Sequence, residues 1–93
     1  ITIITTYPNS APSEVENLIT RPLSESVGTI NGIDRIDSES VEGFSFITIQ
    51  FKNDKNINFA IMEVRERIDL IRDMLPQDSG KPIITRFDPT RSP

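Results

Sequence analysis

NINFAIMEVRERIDLIRDMLP, Asn56 to Pro76, is the stretch from which the fold can be worked out. Ile57, Ile61, Val64, Ile68, Ile71 and Leu75 step by four and three residues, and at about 100° per residue they fall within a stripe about 80° wide. A helix face so narrow and so apolar needs another layer to cover it. Asn56 supplies an N-cap, and Pro76 with Gly80 closes the helical region. Glu63 and Arg67, four apart in the favourable order, are placed to pair on the helix surface. Opposite the apolar stripe lie Asn58, Met62, Glu66, Asp69 and Asp73, again within about 80°. A solvated face and the lining of a wet passage both remain open for that set.

Working back from this helix, Glu42-Gly43 separates two strand-like runs, Ile33 to Val41 and Phe44 to Phe51, which together predict a hairpin entered through Asn31-Gly32. In the second run Ile47, Ile49 and Phe51 share one face, whereas Phe44, Phe46, Thr48 and Gln50 share the other. The apolar faces therefore change over, and either a bulge near Phe46 or a partly covered second sheet face would account for it. Ile1 to Tyr7 alternates Ile and Thr as a pleated strand does, and Pro8-Asn9 stops it. From about Pro12, the apolar residues Val15, Leu18, Ile19, Leu23 and Val27 recur at helical spacing. Pro12 suits the first helical position with Ala11 as a poor cap, or Ser13 and Glu16 form a capping box. Pro22 is expected to kink this helix or break one hydrogen bond, and Gly28 to end it as a C′ glycine. A last apolar run, Ile83 to Phe87, offers a fourth strand before the polar DPTRSP. The order β-α-β-β-α-(β) predicts an α+β, ferredoxin-like split βαβ fold, an antiparallel sheet with two helices on one face and an incomplete fourth strand.

Ninety-three residues make one small domain, without internal repeats or low-complexity segments. The net charge is -4 with no basic run, so nucleic acid and anionic lipid are poor partners. Without Cys or His, the chain lacks disulfides, thiolate metal sites and the commonest general base. No apolar run approaches the roughly 20 residues needed to cross a bilayer. The strand already under way at Ile1 leads us to expect a piece of something larger. Glu14 with Glu16, and Glu63 with Glu66, would serve as acid–base pairs or hard-metal ligands only if burial or a partner shifted them, so solvated helix faces explain them better. PNSAPSE, residues 8–14, has no glycine-rich anion loop of the kind that acyl-phosphate hydrolysis needs. Met62 and Met74 fit packing roles rather than soft-metal binding, and Phe44 and Phe46 fit cross-strand packing rather than ligand stacking. No catalytic, cofactor-binding or metal-binding residue is assigned, and the chain is not expected to be an enzyme.

Four segments carry a resemblance: TYPNSAPSEVENLITRPLSESV, INGIDRIDSESVEGFSFITIQF, INFAIMEVRERIDLIRDMLP and KPIITRFDP. Together they resemble the first N-terminal periplasmic porter subdomain of resistance-nodulation-division (RND) efflux transporters, from about Ile1 to Pro89. The most specific matches are the Tyr-Pro turn followed by Val15-Glu16, the Arg-Pro-Leu of residues 21 to 23, the INGI of residues 30 to 33, the A-x-x-x-V-R-x-R of residues 60 to 67, and the closing Phe-Asp-Pro. Asn9 stands where the family usually has Gly, and Asp54-Lys55-Asn56 where it has Gly-Thr-Asp. Asn and Asp tolerate left-handed backbone, so both turns are expected to survive.

The resemblance implies a trimeric, proton-driven inner-membrane pump for hydrophobic or amphiphilic compounds, with this segment on the periplasmic side and the proton-carrying residues elsewhere. It implies contacts with other porter subdomains of the same chain and with two further protomers, together with a periplasmic adaptor and an outer-membrane channel. It also turns Asn58, Met62, Glu66, Asp69 and Asp73 toward a central pore. In the family the native fourth strand returns from a neighbouring subdomain. An open sheet edge is therefore expected, pairing with Ile83 to Phe87 or with another copy, and giving edge-mediated dimers or a disordered tail. The alternative is a free-standing ferredoxin-like interaction or small-ligand sensor domain. The two separate in the genomic reading frame, where the transporter requires an apolar span of about 20 residues just upstream of Ile1.

Overall fold

The computed structural model describes residues 1–86, so Phe87, the last residue of the expected fourth strand, and the FDP match lie outside the described residues. The elements run β1 (Thr2–Thr6), α1 (Pro12–Val15), a π turn (Glu16–Thr20), α2 (Arg21–Val27), β2 (Ile33–Val41), β3 (Phe44–Phe51), α3 (Ile57–Ile71), a 3-10 turn (Arg72–Met74) and β4 (Ile83–Thr85). The strands form one antiparallel sheet in the order β2-β3-β1-β4. β3 therefore lies between β1 and β2, the split βαβ arrangement predicted above. Of the two partners open to β1, the sheet uses the intramolecular one: Ile3 pairs with Ile84 of β4. This short strand covers the edge of β1 and leaves β2 and β4 as the edge strands of the sheet.

The first helical region shows how the chain accommodates Pro22. Without an N–H, Pro22 cannot complete the hydrogen bond to the residue four before it. The helix widens at that point, and the Arg21 N–H bonds Glu16 O across a π turn. Val15, Ile19, Leu23 and Val27 lie four apart, so in a regular α-helix each step would drift about 40° around the axis. The extra residue taken up by the π turn corrects that drift, and all four side chains are fully buried. Leu18, which shares their apolar character, is exposed. At the start, Ala11 is the N-cap, and the Glu14 carboxylate accepts from the Ala11 N–H at 3.2 Å; the Ser13–Glu16 box does not form. Gly28 ends the helix with φ -64°, so the expected left-handed C′ conformation is absent. Its lack of a side chain matters for another reason, since a Cβ there would stand 2.9 Å from Ser24 O.

The hairpin runs over the residues predicted, with Gly43 at φ +79° in its turn. Its tip is held by two backbone bonds, Tyr7 N–H to Gly43 O at 2.8 Å and Gly43 N–H to Ser10 O at 3.0 Å. Between them lies Asn9 at φ +62°, the left-handed residue that the Asn was expected to tolerate. The turn over Asp54-Lys55-Asn56 needs no positive φ at all. Of the two alternatives for the change of apolar face, the bulge near Phe46 is absent, since the β2–β3 register is regular there and shifts instead between Ile33 and Arg35. The half-buried Phe46 fits the other, a partly covered second sheet face. Asp34 takes up the extra residue, which lets Ile33 and Ile36 both turn toward the core. Phe44 and Phe46 sit on the sheet face away from the helices, stacked with ring centroids 6.1 Å apart, and Phe44 is exposed.

Val64, Ile68 and Leu75 of the predicted stripe are buried against Ile3, Ile47 and Ile49, with Ile71 partly buried beside them. Ile57 departs from expectation, being 39% exposed, while Ala60 is fully buried. The covered stripe is thus rotated toward α2 at its N-terminal end. Hydrogen bonds fix that side: Ser26 Oγ donates to Arg67 O at 2.8 Å, and Arg67 Nε donates to Thr29 Oγ1 at 2.9 Å. Arg67 is consequently not the partner of Glu63. The Glu63 carboxylate instead accepts from Lys55 Nζ at 2.6 Å, with both side chains about 15% exposed and the ammonium 5.3 Å from the Phe59 ring centroid. Glu63 is therefore a paired, largely covered group and not part of a solvated face. Asn56 caps α3 as predicted, its Oδ1 accepting from the Phe59 N–H at 3.0 Å.

Two stability outcomes follow from this packing. Ile68→Ala should cost about 2–5 kcal/mol and Ile57→Ala less than about 1 kcal/mol in urea unfolding, and equal losses would contradict the rotated stripe. Glu63→Ala should cost about 1–2 kcal/mol while Lys55 is present and markedly less in a Lys55→Ala background, as a double-mutant cycle would measure.

Candidate functional site

Because the core claims one side of α3, the opposite side can only face outward. All five residues singled out from the sequence, Asn58, Met62, Glu66, Asp69 and Asp73, are exposed there. Asn58, Met62, Glu66 and Asp69 share one face of α3, with Met62 between the amide and the carboxylates, and Asp73 follows in the 3-10 turn. Met62 is 48% exposed and Met74 is 72% exposed, so neither is the packing residue expected. Asn58 is engaged, its Oδ1 accepting from Arg86 Nη2 just beyond β4. The carboxylates of Glu66, Asp69 and Asp73 stand in solvent, where they can attract cations or cationic side chains at modest cost.

The two flanks of this face differ. On the side of β4, Arg65 and Arg72 project beside Lys81, and a groove of about 370 Å³ opens between α3 and β4 over Ile68, Ile83 and Ile84. On the side away from β4, Phe59 and Leu70 are exposed, Leu70 at 75%. The arginines, seven apart, are visible to the same helical arithmetic that located the acidic face. The groove is not, because it depends on where Ile83 and Ile84 return in the sheet.

Elsewhere the polar chemistry is structural. Thr20 and Ser45, both fully buried, share a hydrogen bond of 2.7 Å, Thr20 shares another of 2.8 Å with Ser40, and Ser40 Oγ donates to Glu16 at 2.9 Å. This chain ties the π turn to the hairpin. A broader groove of about 550 Å³ crosses the open sheet face past Asp37, Glu39, Phe46 and Thr48. Among the described residues no three His, Cys, Asp or Glu side chains converge as a metal site, and no helix is long and apolar enough to cross a membrane.

With this geometry, comparison with known proteins is specific. The model of the AcrB/AcrD/AcrF family matches residues 1–93. The swarming motility protein SwrC of Bacillus subtilis (strain 168) is 32% identical over 87 residues, covering 94% of this chain and 8% of that protein. A crystal structure of a heavy metal efflux pump superposes with a TM-score of 0.79 at 29% identity, covering 88% of this chain and 8% of that one. The chain thus spans about a twelfth of the length of these relatives. A family match over every residue makes this chain a member of the AcrB/AcrD/AcrF family of RND efflux transporters.

Proposed function

We propose that this chain is the first periplasmic porter subdomain of a proton-driven RND pump of the inner membrane, and that the outer face of α3 lines a central pore shared by three protomers. The observation that carries the proposal is the division of α3 into a buried aliphatic side and an exposed side bearing Asn58, Met62, Glu66 and Asp69, with Asp73 exposed in the 3-10 turn that follows. Residues on that exposed side do little for folding, whereas a ring of carboxylates around a wet conduit would set its electrostatics. The cargo is a hydrophobic or amphiphilic compound, passed outward with other porter subdomains, a periplasmic adaptor and an outer-membrane channel. Export of a soft metal cation is the second reading, favoured by the likeness to a heavy metal pump and by the exposed thioether of Met62.

Two measurements on the Glu66→Gln/Asp69→Asn/Asp73→Asn variant test the proposal. In this chain the variant should unfold within about 0.5 kcal/mol of the parent. In the full reading frame, at unchanged protein level, it should slow efflux of an amphiphilic dye several-fold. Normal dye efflux would remove the pore role, and loss of metal export with normal dye efflux would favour the second reading. The reading frame should also encode an apolar span of about 20 residues just before Ile1; its absence would overturn the placement of this segment as the first subdomain after a membrane helix.

A further inference from the structure

We infer that the groove between α3 and β4 binds a single-chain anionic amphiphile, an alkyl carboxylate or alkyl sulfate, with its headgroup held by Arg65, Arg72 and Lys81 and its tail laid over Ile68 and Ile84. The distribution of cations carries the inference. The chain has 10 Lys and Arg against 14 Asp and Glu, so acids are available to pair with most of its cations. Arg21, Arg35 and Lys55 do pair, with Glu16, Asp37 and Glu63, while Arg67 and Arg86 donate to Thr29 and Asn58. Arg65, Arg72 and Lys81 make no side-chain hydrogen bond or ion pair among the described residues, and with them stands Lys52 on another part of the surface. Asp69 also lines the groove, four residues from Arg65 and three from Arg72, yet pairs with neither. The groove is therefore locally positive in a chain whose net charge is -4.

Cations gathered in this way repel one another, and an anion placed among them relieves the repulsion. Two arginines offer planar sets of N–H donors that match the oxygens of a carboxylate or sulfate, and Lys81 adds a point charge. Beneath the cations the floor is aliphatic. Ile84 pairs with the core residue Ile3, so it faces the helix layer and meets the buried Ile68 from the other side of the groove. Pro82, two residues before Ile84, turns the same way and extends the apolar floor toward Lys81. An acidic peptide added as a strand would match the charge, but β4 is three residues long and is preceded by a proline without an N–H, so its outer edge offers little backbone to such a strand. An alkyl tail needs no backbone partner. The volume of about 370 Å³ lies at the small end of the roughly 300–1,000 Å³ of ligand pockets, which suits one chain better than a two-chain lipid. The site depends on the return of β4 beside the helix and holds whether or not α3 lines a pore.

Isoleucine-methyl NMR on this chain tests the site, with decanoate and decyl sulfate titrated below their micelle thresholds. Both anions should shift the Ile68 and Ile84 methyls saturably and leave Ile4, on the open sheet face, in place. Octanoate, two methylenes shorter than decanoate, should bind about 4- to 15-fold more weakly. Arg65→Gln/Arg72→Gln/Lys81→Gln should weaken decanoate at least about ten-fold, and the single Lys81→Gln by a smaller factor, with circular dichroism showing that each variant is folded. An equal response to decyltrimethylammonium would overturn the role of the cations. Sulfate alone moving the same methyls as strongly would reduce the groove to an inorganic-anion site and overturn the amphiphile. Displacement of decanoate by a glutamate-rich peptide at lower concentration would assign the groove to a protein partner instead. Each of these results leaves the dye-efflux measurement on the full reading frame unaffected, so the pump proposal and this site are judged separately.

Discussion

The structure depends on the seam where Val64 and Ile68 meet the sheet through Ile3 and Ile47, beside the row Val15, Ile19, Leu23 and Val27. Each aliphatic side chain fully removed from water there contributes about 1.5–3 kcal/mol against the entropy of ordering the chain. No disulfide reinforces it. Burying this side of α3 leaves the other side without a folding role. Carboxylates and methionine can occupy the exposed face because nothing in the core depends on them. The same physical constraint therefore makes the fold and frees the surface for an interaction.

What is legible in the sequence follows from how local its cause is. The hairpin boundaries can be read because alternation and the Asn31-Gly32 and Glu42-Gly43 turns are properties of neighbouring residues. The outer face of α3 can be read because it is the complement of an aliphatic stripe. By contrast, the π turn is legible only as the disturbance that Pro22 must cause. Its widened form answers the need to keep four side chains in line against the sheet, a tertiary demand. The shift of the bulge from Phe46 to Asp34 has a similar origin, since Ile33 and Ile36 both have to reach the core.

The ion pair is a clear case of local expectation losing to tertiary geometry. Four-residue spacing pairs Glu63 with Arg67, yet Arg67 is drawn toward Thr29 while Lys55 lies across Glu63 between aromatic rings. Here the partially covered carboxylate takes the cation that also shields it. The groove beside α3 was hidden for the same kind of reason. Arg65 and Arg72 announce a cationic flank, but only the pairing of β4 with β1 brings Lys81, Ile83 and Ile84 beside them.

These fastenings also determine how the exposed face can move. α3 is joined to the end of the first helical region by Ser26, Thr29 and Arg67, and that region is joined to the hairpin through Thr20, Ser40 and Ser45. Turning α3 about its own axis would break the first set of hydrogen bonds and expose Val64, leaving buried polar groups and an apolar seam without partners. Sliding the helices together over the sheet would break the second. Hydroxyl bonds to small side chains hold the helix layer close to the strands, so neither layer has an inexpensive motion of its own. Displacement of Glu66, Asp69 and Asp73 is therefore least costly when the whole βαββαβ unit tilts as one body, carrying the acidic face of α3 with it.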